Sequence, residues 1–121
     1  MRNEKDRLRR AQRARRRARK PSYWHRVGDE ITRHVKRFLV HRSDLTVGVY
    51  HALPDEPVIG PLPHKTAFPL VTGETLSFHQ CTREQLSLGA YGISEPPPEA
   101  EAVVPEVLIV PGLAFGEDGS R

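Results

Sequence analysis

The chain has 121 residues, of which 37% are hydrophobic and 28% are charged. This length and balance predict one ordinary domain, with a core but without room for two. The single cysteine, Cys81, excludes an internal disulfide, and the absence of a CxxC pair excludes a cysteine zinc site. No apolar run approaches the roughly eighteen residues that cross a bilayer, and no apolar signal segment follows the basic amino terminus, so a cytoplasmic protein is predicted.

The net charge of +4 is unevenly distributed along the chain. Residues 1–20 carry eleven Lys or Arg against Glu4 and Asp6, a net +9, which leaves −5 for the remaining residues. On charge alone, such a segment is more often a solvated helix face or a nonspecific polyanion patch than a nucleotide site.

Two helices are predicted first. The apolar residues within residues 3–19 recur at steps of three and four, which predicts a helix with one apolar face and one arginine face. Pro21 ends this helix, because proline donates no amide hydrogen and crowds the preceding turn. A second helix is predicted from near Ser22 to about Arg42, with Trp24 and Phe38 as core anchors. Its apolar stripe consists of Trp24, Val27, Ile31, Val35, Phe38 and Leu39.

Strands are predicted after the second helix. Leu45–Tyr50 is rich in residues that favour pleated chain and is too short for a core helix. Residues 52–64 contain four prolines and a glycine, so an irregular loop is predicted there. Lys65–Val71 and Glu74–His79 are predicted to be two strands joined at Gly73, which accepts the positive φ of a tight hairpin.

The carboxyl-terminal third adds a capping box, a proline run and one strand. Thr82 and Gln85 have the spacing of a capping box, which predicts a short helical turn. Pro96, Pro97 and Pro98 impose an extended passage before the strand Val107–Val110. Helices beside short apolar strands favour an α/β layered domain over a bundle or a sandwich.

Two segments near the end of the chain carry a family resemblance. They read Tyr91-Gly92-Ile93-Ser94-Glu95-Pro96 and Val107-Leu108-Ile109-Val110-Pro111-Gly112-Leu113-Ala114-Phe115. Together they resemble the aromatic-X-Ile-X-X-Pro loop and the PGLAF strand end of the 5-formyltetrahydrofolate cyclo-ligase (5,10-methenyltetrahydrofolate synthetase) family. The resemblance extends to Lys5, Leu8 and Arg9, which match its Lys-X-X-Leu-Arg motif. Weaker matches are Tyr50, Asp55-Glu56, Phe68-Pro69, Leu76 and Phe78.

The resemblance implies a fold. It implies one domain over residues 1–121, with a basic helix at 3–19 and a core at 22–115. The fold would be a three-layer α/β domain with a mostly parallel open sheet, similar to the NagB/RpiA/CoA transferase type and truncated at its carboxyl terminus.

The resemblance also implies an activity, which is the ATP- and Mg²⁺-dependent cyclisation of 5-formyltetrahydrofolate to 5,10-methenyltetrahydrofolate. ATP contacts would come from Lys5, Arg9 and Arg121. Folate contacts would come from Glu56, Leu76, Tyr91 and Ile93. No catalytic residue and no protein ligand to a metal is assigned. The expected partner is the small-molecule substrate, with a monomeric chain and neither membrane nor nucleic acid bound.

The chain departs from the family pattern at three places. Gly116 stands where the family has an aspartate, and the segment between Glu56 and His64 is shorter than the family norm, which implies the loss of a helix. Arg121 aligns with the arginine that opens the family's glycine-rich phosphate loop, so half of an ATP site is expected in this chain.

Two other functions remain open from the sequence. One is a nucleic-acid-binding protein that grips phosphates through Arg2 to Lys20. The other is a noncatalytic folate-binding relative, for which Gly116 and the shortened loop are the indications. Without the resemblance, Glu56 is an ordinary exposed loop carboxylate and Tyr91 an ordinary packing residue.

Overall fold

The computed structural model describes residues 2–89 and 92–111 of the chain. Two helices come first, α1 (Arg2–Arg17) and α2 (Pro21–Phe38), and a 3-10 turn (Arg83–Gln85) follows the third strand. The described strands are β1 (Thr46–Gly48), β2 (Lys65–Thr72), β3 (Thr75–Gln80), β4 (Ser87–Leu88), β5 (Ser94–Glu95), β6 (Ala102–Val103) and β7 (Val107–Leu108). Each predicted helix and strand is present with slightly different bounds, whereas the two-residue strands β4, β5 and β6 were not predicted. None of the helices described is long and apolar enough to span a membrane.

Five strands form one sheet in the order β6-β3-β2-β1-β7, and β4 pairs with β5 separately. The α/β class predicted from the sequence is confirmed. The sheet is mixed rather than mostly parallel, since β1 pairs in parallel with β2 and β7 while β3 pairs antiparallel with β2 and β6. The antiparallel part follows from the tight turn between β2 and β3, where Gly73 has a φ of 62° as predicted.

One face of the sheet packs against α2. The buried cluster joins the end of the helix to the strands and to the segment after β1, and consists of Leu39, Leu45, Val47, Val49, Ile59, Phe68 and Cys81. Ile31 and Val35 of α2 pack against it. Of the three layers predicted, the described residues thus show the sheet and the helical layer formed by α2. The other sheet face exposes Val71, Leu76 and Leu108.

One predicted core residue of α2 lies in solvent. Trp24 is buried as predicted, but Phe38 is 84% exposed. Phe38 is the last residue of the helix and lies to one side of the buried line, so Leu39 fills the core position instead. The prediction of Phe38 as a core anchor was therefore wrong.

The parallel strands β1 and β2 are joined without a helix. Residues 49–64, all of which are described, run as irregular chain across α2. The amide of Val58 donates to the carbonyl of Trp24 at 3.3 Å, and the amide of Gly60 donates to the Thr32 hydroxyl at 2.8 Å. Gly28 permits this approach, since a Cβ there would collide with the backbone oxygen of Val58. The missing crossover helix is thus replaced by a loop that α2 holds directly.

Helix α1 presents its arginine face, not its alanine face, to the rest of the domain. Ala11, Ala14 and Ala18 are exposed, and Leu8 is 51% exposed. Gln12 and Arg16 are the partly buried side chains among those described in this helix. The amphipathic pattern predicted the helix correctly, but charge rather than apolar surface decides which side faces inward.

Candidate functional site

A cleft of about 1100 Å³ lies between α1 and the loop that follows β1. One wall consists of α1 and the start of α2, and the other of the loop at residues 53–56 together with Pro111, which follows β7. The lining residues are Lys5, Leu8, Arg9, Gln12, Arg13, Arg16, Arg17, Arg19, Pro21, Leu53, Pro54, Asp55, Glu56 and Pro111. The cleft therefore lies beyond the carboxyl ends of the parallel strands β1 and β7, where α/β sheets commonly bind ligands.

The α1 wall is rich in cations. Lys5, Arg9 and Arg13 are exposed and follow one another along the helix at steps of four, so their side chains point to one side. Arg9 has an exposed partner in Asp6, 3.7 Å away, which is a weak attraction in water. Arg19 stacks on the ring of Tyr23, with its guanidinium carbon 4.5 Å from the ring centroid. Such a wall suits phosphate oxygens, which arginine binds through paired N–H groups.

The opposite wall contains a carboxylate held by the backbone. Glu56 Oε1 accepts a hydrogen bond from the Leu53 amide at 2.9 Å, and the Glu56 amide donates to the Leu53 carbonyl at 3.0 Å. The Glu56 side chain is 12% exposed. A carboxylate fixed in this way keeps free acceptor sites for N–H groups of a ligand.

Arg16 connects the two walls. Its Nε donates to the Asp55 carbonyl at 2.8 Å, and its Nη2 lies 3.1 Å from Asp55 Oδ2 and 4.0 Å from Glu56 Oε2. The Arg16 side chain is 18% exposed, so water screens this cluster less than a surface pair. Arg16 was not singled out from the sequence, although its position seven residues after Arg9 places it on the same helix face.

Tyr50 lies behind the carboxylate loop. Its hydroxyl donates to the Pro57 carbonyl at 2.7 Å. The pKa of Tyr50 is raised to about 12, chiefly by burial and then by the Glu56 carboxylate, against the opposing effect of the guanidinium groups of Arg83 and Arg16. The phenol therefore stays protonated and supports the backbone next to Glu56.

The predicted site residues fall into four groups. Lys5, Arg9 and Glu56 line one cleft. Ile93 lines an adjoining cavity of about 410 Å³ that shares Pro21, Leu53 and Pro54 with the cleft. Leu76 lies on β3, is 60% exposed and does not line the cleft. Tyr91 and Arg121 lie outside the described residues.

Among the residues that the structure describes, no three His, Cys, Asp or Glu side chains converge as metal ligands would. The two carboxylates of the cleft, Asp55 and Glu56, both lie beside Arg16. Mg²⁺ is commonly held by one or two carboxylates together with the phosphates of a bound nucleotide. Among the described residues, these two carboxylates would therefore hold Mg²⁺ only together with the phosphates of a bound nucleotide.

The fold of this chain is similar to that of a solved protein structure, and this similarity confirms the resemblance read from the sequence motifs. That structure is the NMR structure of 5,10-methenyltetrahydrofolate synthetase from Aquifex aeolicus, which is 25% identical, with a TM-score of 0.72. The match covers 92% of this chain and 62% of that chain, so this chain spans less than two thirds of that protein's length. No protein-family model and no curated protein matches the sequence.

Proposed function

We propose that the chain carries the nucleotide-contacting helix and the folate-contacting loop of an ATP-dependent 5-formyltetrahydrofolate cyclo-ligase. The observation that carries this proposal is the shared cleft, which Lys5, Arg9 and Glu56 all line. The similarity to the Aquifex aeolicus synthetase supports it. Lys5 and Arg9 are about fifty residues from Glu56 in the sequence, and all three side chains line the same cleft.

The proposed chemistry starts from a poor electrophile. The formyl group on N5 is an amide, and ATP supplies the phosphoryl group that makes its oxygen a leaving group so that N10 closes the ring. Lys5 and Arg9 would bind and orient the phosphates and offset the charge that develops during transfer. Glu56 would accept hydrogen bonds from the pterin N–H groups, and the fixed loop would orient the formyl group toward the phosphates. Tyr91 would pack against the folate ring, and Leu76 and Ile93 would complete the substrate contacts of the whole protein.

Equilibrium binding tests the two halves of the proposal separately. For Glu56→Gln we expect the Kd for 5-formyltetrahydrofolate to rise at least about tenfold, since a charged acceptor is lost. For Lys5→Ala we expect a similar rise in the Kd for ATP with Mg²⁺. Matched controls are Glu84→Gln and Arg10→Gln, whose side chains are exposed and do not line the cleft. Unchanged affinities in Glu56→Gln and Lys5→Ala would refute the corresponding assignments.

One observation favours a second function for α1. Arg7 and Arg10 are exposed and do not line the cleft, so they remain available to a nucleic-acid backbone. Binding of an RNA oligonucleotide that falls steeply with salt, and that is lost when residues 1–20 are removed, would support this function. Binding of 5-formyltetrahydrofolate that ATP strengthens or protects would favour the enzyme instead.

A further inference from the structure

Helix α1 is attached to the domain with few apolar contacts. Leu8, its largest apolar side chain among those described, is 51% exposed, and its alanines are exposed. By contrast, α2 buries Trp24, Gly28 and Thr32. The position of α1 therefore depends chiefly on its polar contacts.

These polar contacts converge on one guanidinium. The Arg16 Nε–H bond to the Asp55 carbonyl fixes the backbone of the loop, and Nη2 holds the Asp55 carboxylate while lying 4.0 Å from Glu56. Because the fork of an arginine is rigid, these contacts fix the orientation of α1 relative to the loop. Lys5 and Arg9 are on the same helix, about three and two turns before Arg16, respectively.

We propose that Arg16 is a positioning residue that couples the phosphate-binding face of α1 to the carboxylate loop, so that ATP and 5-formyltetrahydrofolate bind cooperatively. This inference rests on the proposed function. A ligand that bridges Lys5 or Arg9 to the cleft restrains α1, and through Arg16 it also restrains Asp55 and Glu56. The second ligand then binds a loop that is already ordered, which lowers its entropic cost.

A four-way titration measures this coupling. The Kd for 5-formyltetrahydrofolate is determined by calorimetry with and without ATP and Mg²⁺, in the unaltered protein and in Arg16→Gln, Arg16→Lys and Arg10→Gln. For the unaltered protein and the Arg10→Gln control we expect ATP to lower the folate Kd about tenfold. For Arg16→Gln we expect no such change. For Arg16→Lys we expect a partial effect, since the charge remains but the fork is lost.

A second readout separates positioning from folding. Trypsin cleavage at the Arg10–Ala11 bond is followed over time, because this bond lies in α1 outside the substituted position. Cleavage should be faster in Arg16→Gln than in the unaltered protein. The urea midpoint of Arg16→Gln should differ from that of the unaltered protein by no more than the midpoint of Arg10→Gln does. A collapse of the urea midpoint in Arg16→Gln would mean that Arg16 is a general structural residue and would overturn the proposal.

The outcomes distinguish the coupling from the proposed function. If the unaltered protein binds both ligands independently, or if Arg16→Gln keeps the coupling, the role of Arg16 is refuted while the enzyme assignment stands. A loss of ATP affinity in Arg16→Gln with the coupling intact would make Arg16 a direct phosphate contact and would also refute the proposal. If the unaltered protein binds neither ligand, the proposed function fails, and the coupling fails with it.

Discussion

The two helices of this chain are held to the same domain by different kinds of interaction. Helix α2 buries Trp24 and Thr32 and packs its apolar side against the sheet. Helix α1 leaves Leu8 half exposed and contacts the carboxylate loop through Arg16. Burial of apolar side chains contributes far more to folding free energy than partly exposed ion pairs do.

This contrast assigns different roles to the two helices. The stability of the domain should depend on α2, on the irregular segment it holds and on the sheet. Helix α1 contributes charge and position to the cleft. A helix that the core does not require can face a ligand with a row of cations whose mutual repulsion would disfavour tight packing.

The largest expected effect on the free energy of unfolding is at the close contact between α2 and the segment after β1. Gly28→Ala places a methyl group where the backbone of Val58 lies, so we expect a loss of about 3 kcal/mol or more in the free energy of unfolding. Urea unfolding measures it. The matched control is Gly60→Ala, whose added carbon would lie 3.6 Å from the Thr32 side chain and should cost less than about 1 kcal/mol. Equal costs at the two glycines would contradict the close contact.

The next largest effect on stability is expected at the Thr32 hydroxyl, which joins the same two segments. Thr32 Oγ1 donates to the Gly28 carbonyl at 2.7 Å and accepts from the Gly60 amide at 2.8 Å. Thr32→Val keeps the shape but leaves the Gly60 amide without its partner, so a loss of about 2 kcal/mol is expected. Thr32→Ser keeps the hydroxyl and should lose about 1 kcal/mol for the missing methyl group. If the serine variant is the less stable of the two, the hydrogen bonds do not hold the segment.

A smaller effect concerns the support of the carboxylate loop. Tyr50→Phe removes the hydrogen bond to the Pro57 carbonyl and should cost about 1 kcal/mol at neutral pH. The pKa of Tyr50 is raised from 10.0 to about 12, so folding favours the protonated phenol. The contribution is therefore complete below pH 10 and is lost as the pH rises through about 12. Unfolding curves of both proteins from neutral to alkaline pH should converge, and a constant difference would contradict this pKa.

The smallest effect on stability is expected from the removal of α1. Deleting residues 1–17 removes the Arg16 contacts but no fully buried apolar side chain among those described, so a loss of about 1 kcal/mol or less is expected. The same deletion should abolish ATP binding. A large drop in the thermal midpoint would show that α1 belongs to the stable core and would overturn the contrast between the helices.

The sequence predicted those parts of the fold that local patterns specify. The apolar stripe predicted α2, the Gly73 turn predicted the hairpin, and Thr82 with Gln85 predicted the 3-10 turn. In that turn the Gln85 side chain accepts from the Thr82 amide at 2.9 Å, as a capping box requires. The strands β4, β5 and β6 have two residues each, too few to produce a periodic pattern.

Tertiary contacts decided the remainder. Helical spacing predicted Phe38 on the apolar side, but Phe38 lies to one side of the buried line of α2, and Leu39 is buried instead. The spacing of α1 showed two faces without showing which of them turns inward, because that choice depends on Asp55, nearly forty residues away in the sequence. For the site, the sequence motifs predicted Lys5, Arg9 and Glu56. The role of Arg16 follows only from its contacts with Asp55 and Glu56 in the folded chain.

The most direct test of the account is a nitrogen-labelled NMR titration of this 13.7 kDa chain with ATP and Mg²⁺, followed by 5-formyltetrahydrofolate. We predict saturable shifts of the α1 amides with the nucleotide and of the Leu53–Glu56 amides with the folate. Amides around the exposed Phe38, at the end of α2 that does not line the cleft, should stay unchanged. Shifts that avoid both α1 and this loop, or an absence of saturable shifts with either ligand, would contradict a single cleft for nucleotide and folate.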